Sequence, residues 1–275
     1  MSTSEAHRQW REWCEQRTGT VAAPYGPMAL TGTHWLPDLP DGRIPAIPGQ
    51  WTEASEGDGV LLRAGSEDDL VVDGTPFTGE VVLAADPSPE AARVASGTRK
   101  LLVMHREGVW AVRVFDPDSA RRRAFAGIDV FPYDERWVLP GRFRPYERDQ
   151  RITVENADGR ARGLALAGEL VIGPAAPDGA PAGVPHGREF TLRVAAEADG
   201  ALWGVFADGT SGVSGYRFRF LRPGVPDADG AVTVDLNRAL LPPCAFADHF
   251  ICPLPPPGNR LPFAVEAGER NPLAH

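Results

Sequence analysis

Apolar and polar residues alternate over much of the chain, in short runs separated by Gly, Pro and Asp. In the run Trp110–Phe115, Trp110, Val112 and Val114 share one face, and this two-residue period is typical of a β-strand. The run Arg106 to Gly108 is predicted to join it to the preceding strand as a hairpin connection. The pattern predicts strands at Gly59–Arg63, Asp69–Val72, Glu80–Ala84, Lys100–His105, Trp110–Phe115, Val138–Phe143, Arg151–Glu155, Leu164–Ile172, Glu189–Ala195, Leu202–Phe206, Tyr216–Leu221, Ala231–Asp235 and Phe263–Glu266.

The first segment has a different period and predicts a helix over Ser4 to Thr18, ended by Gly19. The side chains that share its apolar face are Trp10, Trp13, Cys14 and Arg17. A helix followed by many short strands predicts a mainly β protein, with one or two antiparallel barrel or sandwich units.

A weaker break near Pro145–Gln150 divides the predicted strands into two halves. Residues 1–147 would hold the helix and the first β half, and residues 148–275 the second half with a proline-rich loop. A single continuous domain is the alternative. The cluster of Gly, Ala and Pro from Gly173 to Gly187 predicts a long loop in the second half.

Composition narrows the class of protein. The net charge of -9 and the pI near 5.2 predict repulsion from phosphate backbones, and the densest basic run, Arg121 to Arg123, is short. No stretch reaches the roughly 20 apolar residues of a membrane helix, and the first residues lack an apolar secretory core. The three cysteines, an odd number, favour a reducing cytoplasm. We therefore predict a soluble cytoplasmic protein without nucleic-acid or membrane partners; its oligomeric state stays open.

The most unusual composition begins at Val232. Each proline fixes φ and removes an N–H donor, so a loop crowded with prolines costs little entropy to hold in one shape. Two Asn-Arg pairs, Asn237-Arg238 and Asn259-Arg260, bound this loop. They could bind an anion or a carbonyl, or hydrogen-bond the loop's own carbonyls. The prolines concerned are Pro242, Pro243, Pro253, Pro255, Pro256, Pro257 and Pro262.

Two cysteines of the loop, Cys244 and Cys252, are separated by seven residues. They could form a disulfide, bind a metal or be buried free thiols, and His249 between them could pair with a Cys244 thiolate. Because no second CxxC or HxxxH pattern is present, we favour buried thiols and predict no metal or cofactor.

This segment resembles the bacterial family catalogued as domain of unknown function 1684, whose signature has the form DFNRAxxPxCA…CPLPPxxNRLPxxIxAGE. Two departures are Leu236 and Leu240. The matching residues are Asp235, Asn237, Arg238, Ala239, Pro242, Cys244, Ala245, Cys252, Pro253, Leu254, Pro255, Pro256, Asn259, Arg260, Leu261, Pro262, Ala267, Gly268 and Glu269.

The resemblance continues upstream. Phe131-Pro132 and Trp137 are similar to a central FP…W pattern. A further pattern, F.DxTSG, is matched by Phe206, Asp208, Thr210, Ser211 and Gly212. In the next piece Tyr216 and Arg219 are the best matches, although the family's glycine between them is missing. The resemblance implies a mainly β fold and brings no established activity or catalytic residue.

Two functions fit these observations. The first is binding of a small anionic or carbonyl ligand in a β-barrel pocket closed by the proline-rich loop, with apolar walls from Tyr216, Phe246 and Trp35. Its predicted ligand-binding residues are Tyr216, Arg219, Asn237, Arg238, Cys244, Asn259 and Arg260.

The second function is a metal-independent enzyme acting on a small carbonyl or ester compound. The chain has no GxSxG or HExxH pattern, so no catalytic residue is assigned. The candidate acid–base groups are His34, Asp208, Tyr216, Asp235 and His249. A structural or interaction role is a third reading.

Overall fold

The computed structural model describes residues 3–55, 58–173 and 189–275. It is mostly β, with 45% strand and 16% helical residues, antiparallel sheets and an N-terminal helix. The predicted fold class is therefore confirmed. Apart from Gly173, the predicted loop from Gly173 to Gly187 lies outside the described residues.

The N-terminal helix α1 spans Thr3–Val21. It continues through Gly19, where the sequence predicted its end, because one glycine costs a helix only about 1 kcal/mol. The chain forms two compact units. One, called here the barrel unit, combines Met1–Thr18 with Ala126–His275, and the second unit is Gly19–Phe125.

The second unit contains two sheets, with strand orders β1-β9-β8-β7-β4-β5 and β2-β3-β6. Glu107 and Gly108 join β8 to β9, both at positive φ (50° and 80°), as a two-residue hairpin turn with the twist of its strands requires. This confirms the predicted hairpin. The elements are β1 Leu30–Trp35, β2 Gln50–Glu53, β3 Val60–Ala64, β4 Leu70–Val72, β5 Thr75–Phe77, β6 Gly79–Leu83, β7 Val94–Ser96, β8 Arg99–Arg106, β9 Val109–Phe115 and α2 Ala120–Ala124.

The barrel unit contains a six-stranded sheet of order β15-β14-β13-β12-β11-β16, and β10 pairs with β17. The edge strands β15 and β16 contact each other, which makes the sheet a nearly closed barrel. All six strands contribute to one apolar core, which includes Leu170, Leu192 and Phe206. The strands are β10 Phe125–Val130, β11 Val138–Glu155, β12 Ala161–Ile172, β13 Phe190–Ala196, β14 Leu202–Phe206, β15 Arg219–Gly224, β16 Ala231–Asp235 and β17 Glu269–Ala274.

Two predicted strands near the break form one strand, β11. Its pairing with β12 is irregular between Pro145 and Gln150, where the sequence predicted a domain break. The compact units divide the chain elsewhere, and the division at residue 147 stays a prediction.

The strand predicted at Phe263–Glu266 is wrong. The Val265 amide donates to the Asp208 carboxylate at 3.1 Å, and the Val265 carbonyl accepts from Arg219 at 2.9 Å. Buried side chains thus satisfy this backbone in place of a neighbouring strand. The strand predicted from Tyr216 begins only at Arg219.

Candidate functional site

Asn259 replaces missing strand pairing between β13 and β14. Its amide nitrogen donates to the carbonyls of Arg193 and Val205, each at 2.8 Å. Its amide oxygen accepts from the Arg193 N–H at 2.8 Å. The pairing of the two strands covers only the end of the hairpin, so the amide continues it where the strands part. The side chain is fully buried, and these bonds occupy it structurally.

Asn237 ties down the segment before β11. Its amide exchanges hydrogen bonds with both backbone groups of Asp134, at 3.0 and 2.9 Å. Its own carbonyl accepts from the Trp10 indole of α1 at 3.1 Å. The short 3₁₀ turn Leu236–Arg238 is capped by Asp235, whose carboxylate accepts from the Asn237 N–H. Asn237 therefore fixes the backbone of the loop at Asp134.

Arg219 forms a buried ion pair with Asp208. The two groups are 2.7 Å apart, and their side chains are 2% and 0% exposed. Arg219 also donates to the carbonyls of Ala267 and Val265, and Asp208 accepts from the N–H and hydroxyl of Thr210. Burial opposes ionisation of Asp208, but the charge and hydrogen bonds of Arg219 outweigh it, so the pKa of Asp208 is lowered.

A second interior pair joins Arg17 of α1 to Glu269 at 3.0 Å. Glu269 also accepts from the Leu241 N–H at 2.6 Å. Its pKa is raised because burial outweighs the attraction of Arg17. This pair joins α1, the proline-rich loop and β17 within the barrel unit.

The arginines of the two Asn-Arg pairs lie in different environments. Arg238 pairs with Asp235 at 3.2 Å with its side chain 41% exposed, and it lies over the Trp13 ring. Arg260 is exposed, and within the described part of the chain its guanidinium has no hydrogen bond or ion pair. The two guanidiniums share no partner there.

Tyr216 and Cys244 are in direct contact. The Tyr216 hydroxyl lies 3.5 Å from the Cys244 sulfur and donates to the Cys244 carbonyl at 3.2 Å. Cys252 belongs to the same apolar cluster. All three cysteines of the chain are free, as the sequence predicted for Cys244 and Cys252.

The barrel unit also has a cleft of about 470 Å³ that the sequence did not single out. This volume lies within the usual range for small-molecule sites, about 300–1,000 Å³. Aromatic residues and carboxylates line it together. The lining residues are Phe131, Pro132, Tyr133, Asp134, Glu135, Arg136, Trp137 and Glu266.

The charges at this cleft are mainly negative. Asp134 and Arg136 form an ion pair at 2.6 Å and offset each other, and Glu135 and Glu266 add two further carboxylates to the lining. Glu266 is exposed and has no hydrogen bond or ion pair within residues 3–55, 58–173 and 189–275. The pKa of Tyr133 is raised by burial and by Asp235 and Glu135, which is the response expected in a negative environment.

One buried amide lacks partners. Asn156 is 2% exposed, and neither polar atom of its side chain has a hydrogen bond in the described structure. It follows β11 and forms a backbone bridge with Pro253. Buried amides are nearly always hydrogen-bonded, so this position stands out.

The predicted site residues are thus dispersed. Tyr216 with Cys244, Arg219 with Asp208, and Asn237 with Arg238 form separate groups, while His34 and Trp35 belong to the second unit and His249 is exposed. The sequence did not predict the cleft, although three of its lining residues, Phe131, Pro132 and Trp137, match the family's FP…W pattern. That match was the feature of the sequence that could have pointed to the cleft.

No group of three or more His, Cys, Asp or Glu side chains suited to a metal ion occurs in the described residues. None of the helices formed by those residues has the length and apolar character needed to cross a membrane.

Fold and site together define a β-barrel protein whose C-terminal segment is fixed to the barrel by buried polar side chains. The model of the family described as a protein of unknown function (DUF1684) matches residues 123–270, more than half of the chain. The chain belongs to this family, as the resemblance indicated.

No curated protein matches the chain. A solution NMR structure of an uncharacterized protein from Haloarcula marismortui is 30% identical, covers 53% of this chain and 77% of its own, and has a TM-score of 0.41.

Proposed function

We propose that the chain binds a small molecule in the cleft formed by residues 131–137 and Glu266, and that this ligand has an apolar body and a cationic amine. The observation that carries the proposal is a cleft of about 470 Å³ that combines aromatic walls with the exposed carboxylate of Glu266. Trp137, one of the lining residues, is almost fully buried and adds apolar surface to the cleft.

The ligand class follows from the charges. Glu266 has no hydrogen bond or ion pair in the described residues, so its carboxylate can pair with an ammonium group. The Tyr133 hydroxyl is protonated at neutral pH, as a tyrosine with its ordinary pKa would also be, and it is available as a hydrogen-bond donor or acceptor. Asn237 supports the site by holding both backbone groups of Asp134.

This ligand differs from the anionic or carbonyl compound predicted from the signature arginines. The Arg219 guanidinium is already bonded to Asp208 and two carbonyls. Arg238 is paired, and Arg260 lies on the surface. The carboxylate-lined cleft therefore supports a cationic ligand better than an anionic one.

An enzymatic role remains the alternative, and no observation favours it over binding. The free thiols fit the predicted reducing cytoplasm, and the net charge of -9 fits the predicted lack of nucleic-acid partners. Both are retained as parts of the proposal.

The test uses the full chain and two probes of similar shape but opposite charge, phenethylamine and phenylacetate. Titration calorimetry should detect binding of phenethylamine and little or none of phenylacetate. Replacing Glu266→Gln should weaken phenethylamine binding about fivefold, corresponding to ~1 kcal/mol for a partly exposed ion pair.

Glu90→Gln serves as the control because Glu90 is an exposed carboxylate in the second unit, and it should leave the affinity unchanged. Tighter binding of phenylacetate would contradict the proposed ligand class. An equal effect of the two Gln variants would remove the cleft as the site.

A further inference from the structure

Cys244 and Cys252 lie side by side at the base of the proline-rich loop. Both are buried, at 4% and 5% exposure, in a cluster with Val205 and Phe218. Cys244 belongs to the 3₁₀ turn Pro243–Ala245. The carbonyl of Cys252 accepts from the Ala157 N–H at 2.8 Å. Each cysteine is thus held by a turn or a backbone hydrogen bond, and the Cys252 thiol lies within hydrogen-bonding reach of the Cys244 sulfur.

The surroundings of the Cys244 sulfur favour a thiolate. The Cys252 thiol hydrogen-bonds to it, the Tyr216 hydroxyl lies 3.5 Å away and is shared with the Cys244 carbonyl, and the Arg217 guanidinium adds positive charge. Arg217 is held over the Tyr216 ring at 5.7 Å. Burial alone would raise the pKa of a thiol, but the hydrogen bond from Cys252 and the other two groups lower the pKa of Cys244 to about 7. The pKa of Tyr216 is raised, so its hydroxyl keeps its proton.

Cys14 provides a contrast within the same chain. It is partly exposed, yet burial and the nearby Glu269 raise its pKa to about 11. At neutral pH it remains a thiol and reacts slowly, because the thiolate is the nucleophile. If exposure decided reactivity, Cys14 would react before Cys244. If thiolate character decided it, Cys244 would react before Cys14.

We propose that Cys244 is a peroxide-reactive thiol and that Cys252 is its resolving partner, so that the two form a reversible disulfide across the proline-rich loop. The geometry that supports this is the direct contact of the two cysteines, with Tyr216 and Arg217 on the Cys244 side. The proposal is independent of the ligand proposed for the cleft.

The chemistry consumes one hydrogen peroxide. The Cys244 thiolate attacks a peroxide oxygen, the O–O bond breaks, and the departing hydroxide takes up a proton to form water. The sulfur of Cys252 then attacks the sulfenic acid of Cys244. The S–O bond breaks, and hydroxide leaves with the Cys252 proton as the second water. The two thiols lose two electrons, which reduce the peroxide to two waters.

The burial of both sulfurs selects the oxidant. Cys244 is 4% exposed as a residue, so we expect a peroxide molecule, which is little larger than water, to reach it more readily than a bulky thiol reagent. Short hydrogen peroxide treatment of the folded chain should therefore oxidise Cys244 before Cys14, and a maleimide should label Cys14 before Cys244.

The experiment treats the reduced full chain with hydrogen peroxide at pH 7, blocks the remaining thiols with iodoacetamide under denaturing conditions, and maps the products by mass spectrometry. The intact mass should fall by about 2 Da before blocking, the loss of two hydrogens. A Cys244–Cys252 cross-link should be found with Cys14 still alkylated, and dithiothreitol should reverse the change.

Two variants separate the roles. Cys252→Ser should stop at a Cys244 sulfenic acid that dimedone traps, and Cys14→Ser should behave like the wild type. Because a loop variant can fail to fold, the wild-type map is decisive by itself. Oxidation of Cys14 ahead of Cys244, or a folded wild type without the Cys244–Cys252 cross-link, would overturn the proposal.

Discussion

The interior and the surface of the barrel unit use arginine in opposite ways. Arg219 and Arg17 reach carboxylates that are almost fully buried, Asp208 and Glu269. Arg238 has a side chain 41% exposed and one short-range partner, and Arg260 lies at the surface. All four occupy the same compact unit.

This difference shows that residues of one family signature can contribute very different amounts to the free energy of unfolding. The Asn-Arg pairs look equivalent in sequence, but their asparagines are buried and their arginines are not. A buried charge without its partner is very costly, whereas an exposed ion pair contributes about 0–1 kcal/mol. The contrast can therefore be tested by substitution.

The largest effect is expected for Arg219→Met. The change leaves the Asp208 carboxylate buried without its cation, which costs about 3–5 kcal/mol of unfolding free energy. Urea denaturation measures this loss. Arg222→Met is the matched control, because Arg222 lies on the same strand and its ion pair with Glu197 is exposed, at 52% and 39%; it should cost less than about 1 kcal/mol.

The Arg219–Asp208 pair also predicts that the stability of the protein depends on pH. Because the pKa of Asp208 is lowered in the folded state, its ionised form stabilises the protein at neutral pH, and this contribution is lost as the pH falls below about 4, the ordinary value. The stability difference between wild type and Asp208→Asn should therefore shrink on acidification. A difference that grows between pH 5 and 3 would contradict the assignment.

The second largest effect is expected for Asn259→Ala. Three backbone groups of β13 and β14 lose their partner, one of them in a buried hydrogen bond and two in part-buried ones, and an unmet buried group costs about 1–3 kcal/mol. We expect a loss of at least about 2 kcal/mol in thermal or urea unfolding. Asn271→Ala, a partly exposed asparagine in β17, should change little. Equal losses of unfolding free energy in Asn259→Ala and Asn271→Ala would show that the burial of the Asn259 amide does not contribute to stability.

A gain is expected for Asn156→Leu. Because the buried amide has no hydrogen bond in the described structure, replacing it with an apolar side chain of similar size removes a desolvation cost and should stabilise the chain by ~1 kcal/mol. A raised melting temperature is the expected result. A clear loss of stability would show instead that the amide binds a water molecule or a ligand.

The smallest effects are expected for the signature arginines. Arg260→Lys should change the unfolding free energy by less than about 0.5 kcal/mol, since surface substitutions rarely do more. Arg238→Lys should cost up to about 1 kcal/mol through its pair with Asp235 and its contact with Trp13. A loss of 2 kcal/mol or more for Arg260→Lys would break the contrast between interior and surface.

Much of the local structure was readable from the sequence. The alternation in Trp110–Phe115 predicted β9, and the hairpin before it was confirmed. Other strands were missed, including β1, where Leu30–Trp35 shows no clean alternation in burial. The alternating pattern at Phe263–Glu266 predicted a strand that does not form, because the side chains of Asp208 and Arg219 bind the backbone of Val265.

The candidate sites were less predictable. The spacing of Cys244 and Cys252 allowed a disulfide, a metal site or two separate thiols, and only the folded loop placed them in contact. Seven of the eight residues that line the cleft form a contiguous run, residues 131–137, and the eighth is Glu266. Asn237 holds Asp134 of that run from about a hundred positions away in the chain.

The sequence by itself determined the mainly β class, the N-terminal helix and a proline-rich segment of restricted shape, because these follow from periodicity and φ restriction within a few residues. Only the tertiary structure decided which polar side chains are structural. Arg219 reaches a carboxylate 11 residues away and a carbonyl 46 residues away. Such partners decide whether a charge is buried or exposed, and local sequence carries no information about them.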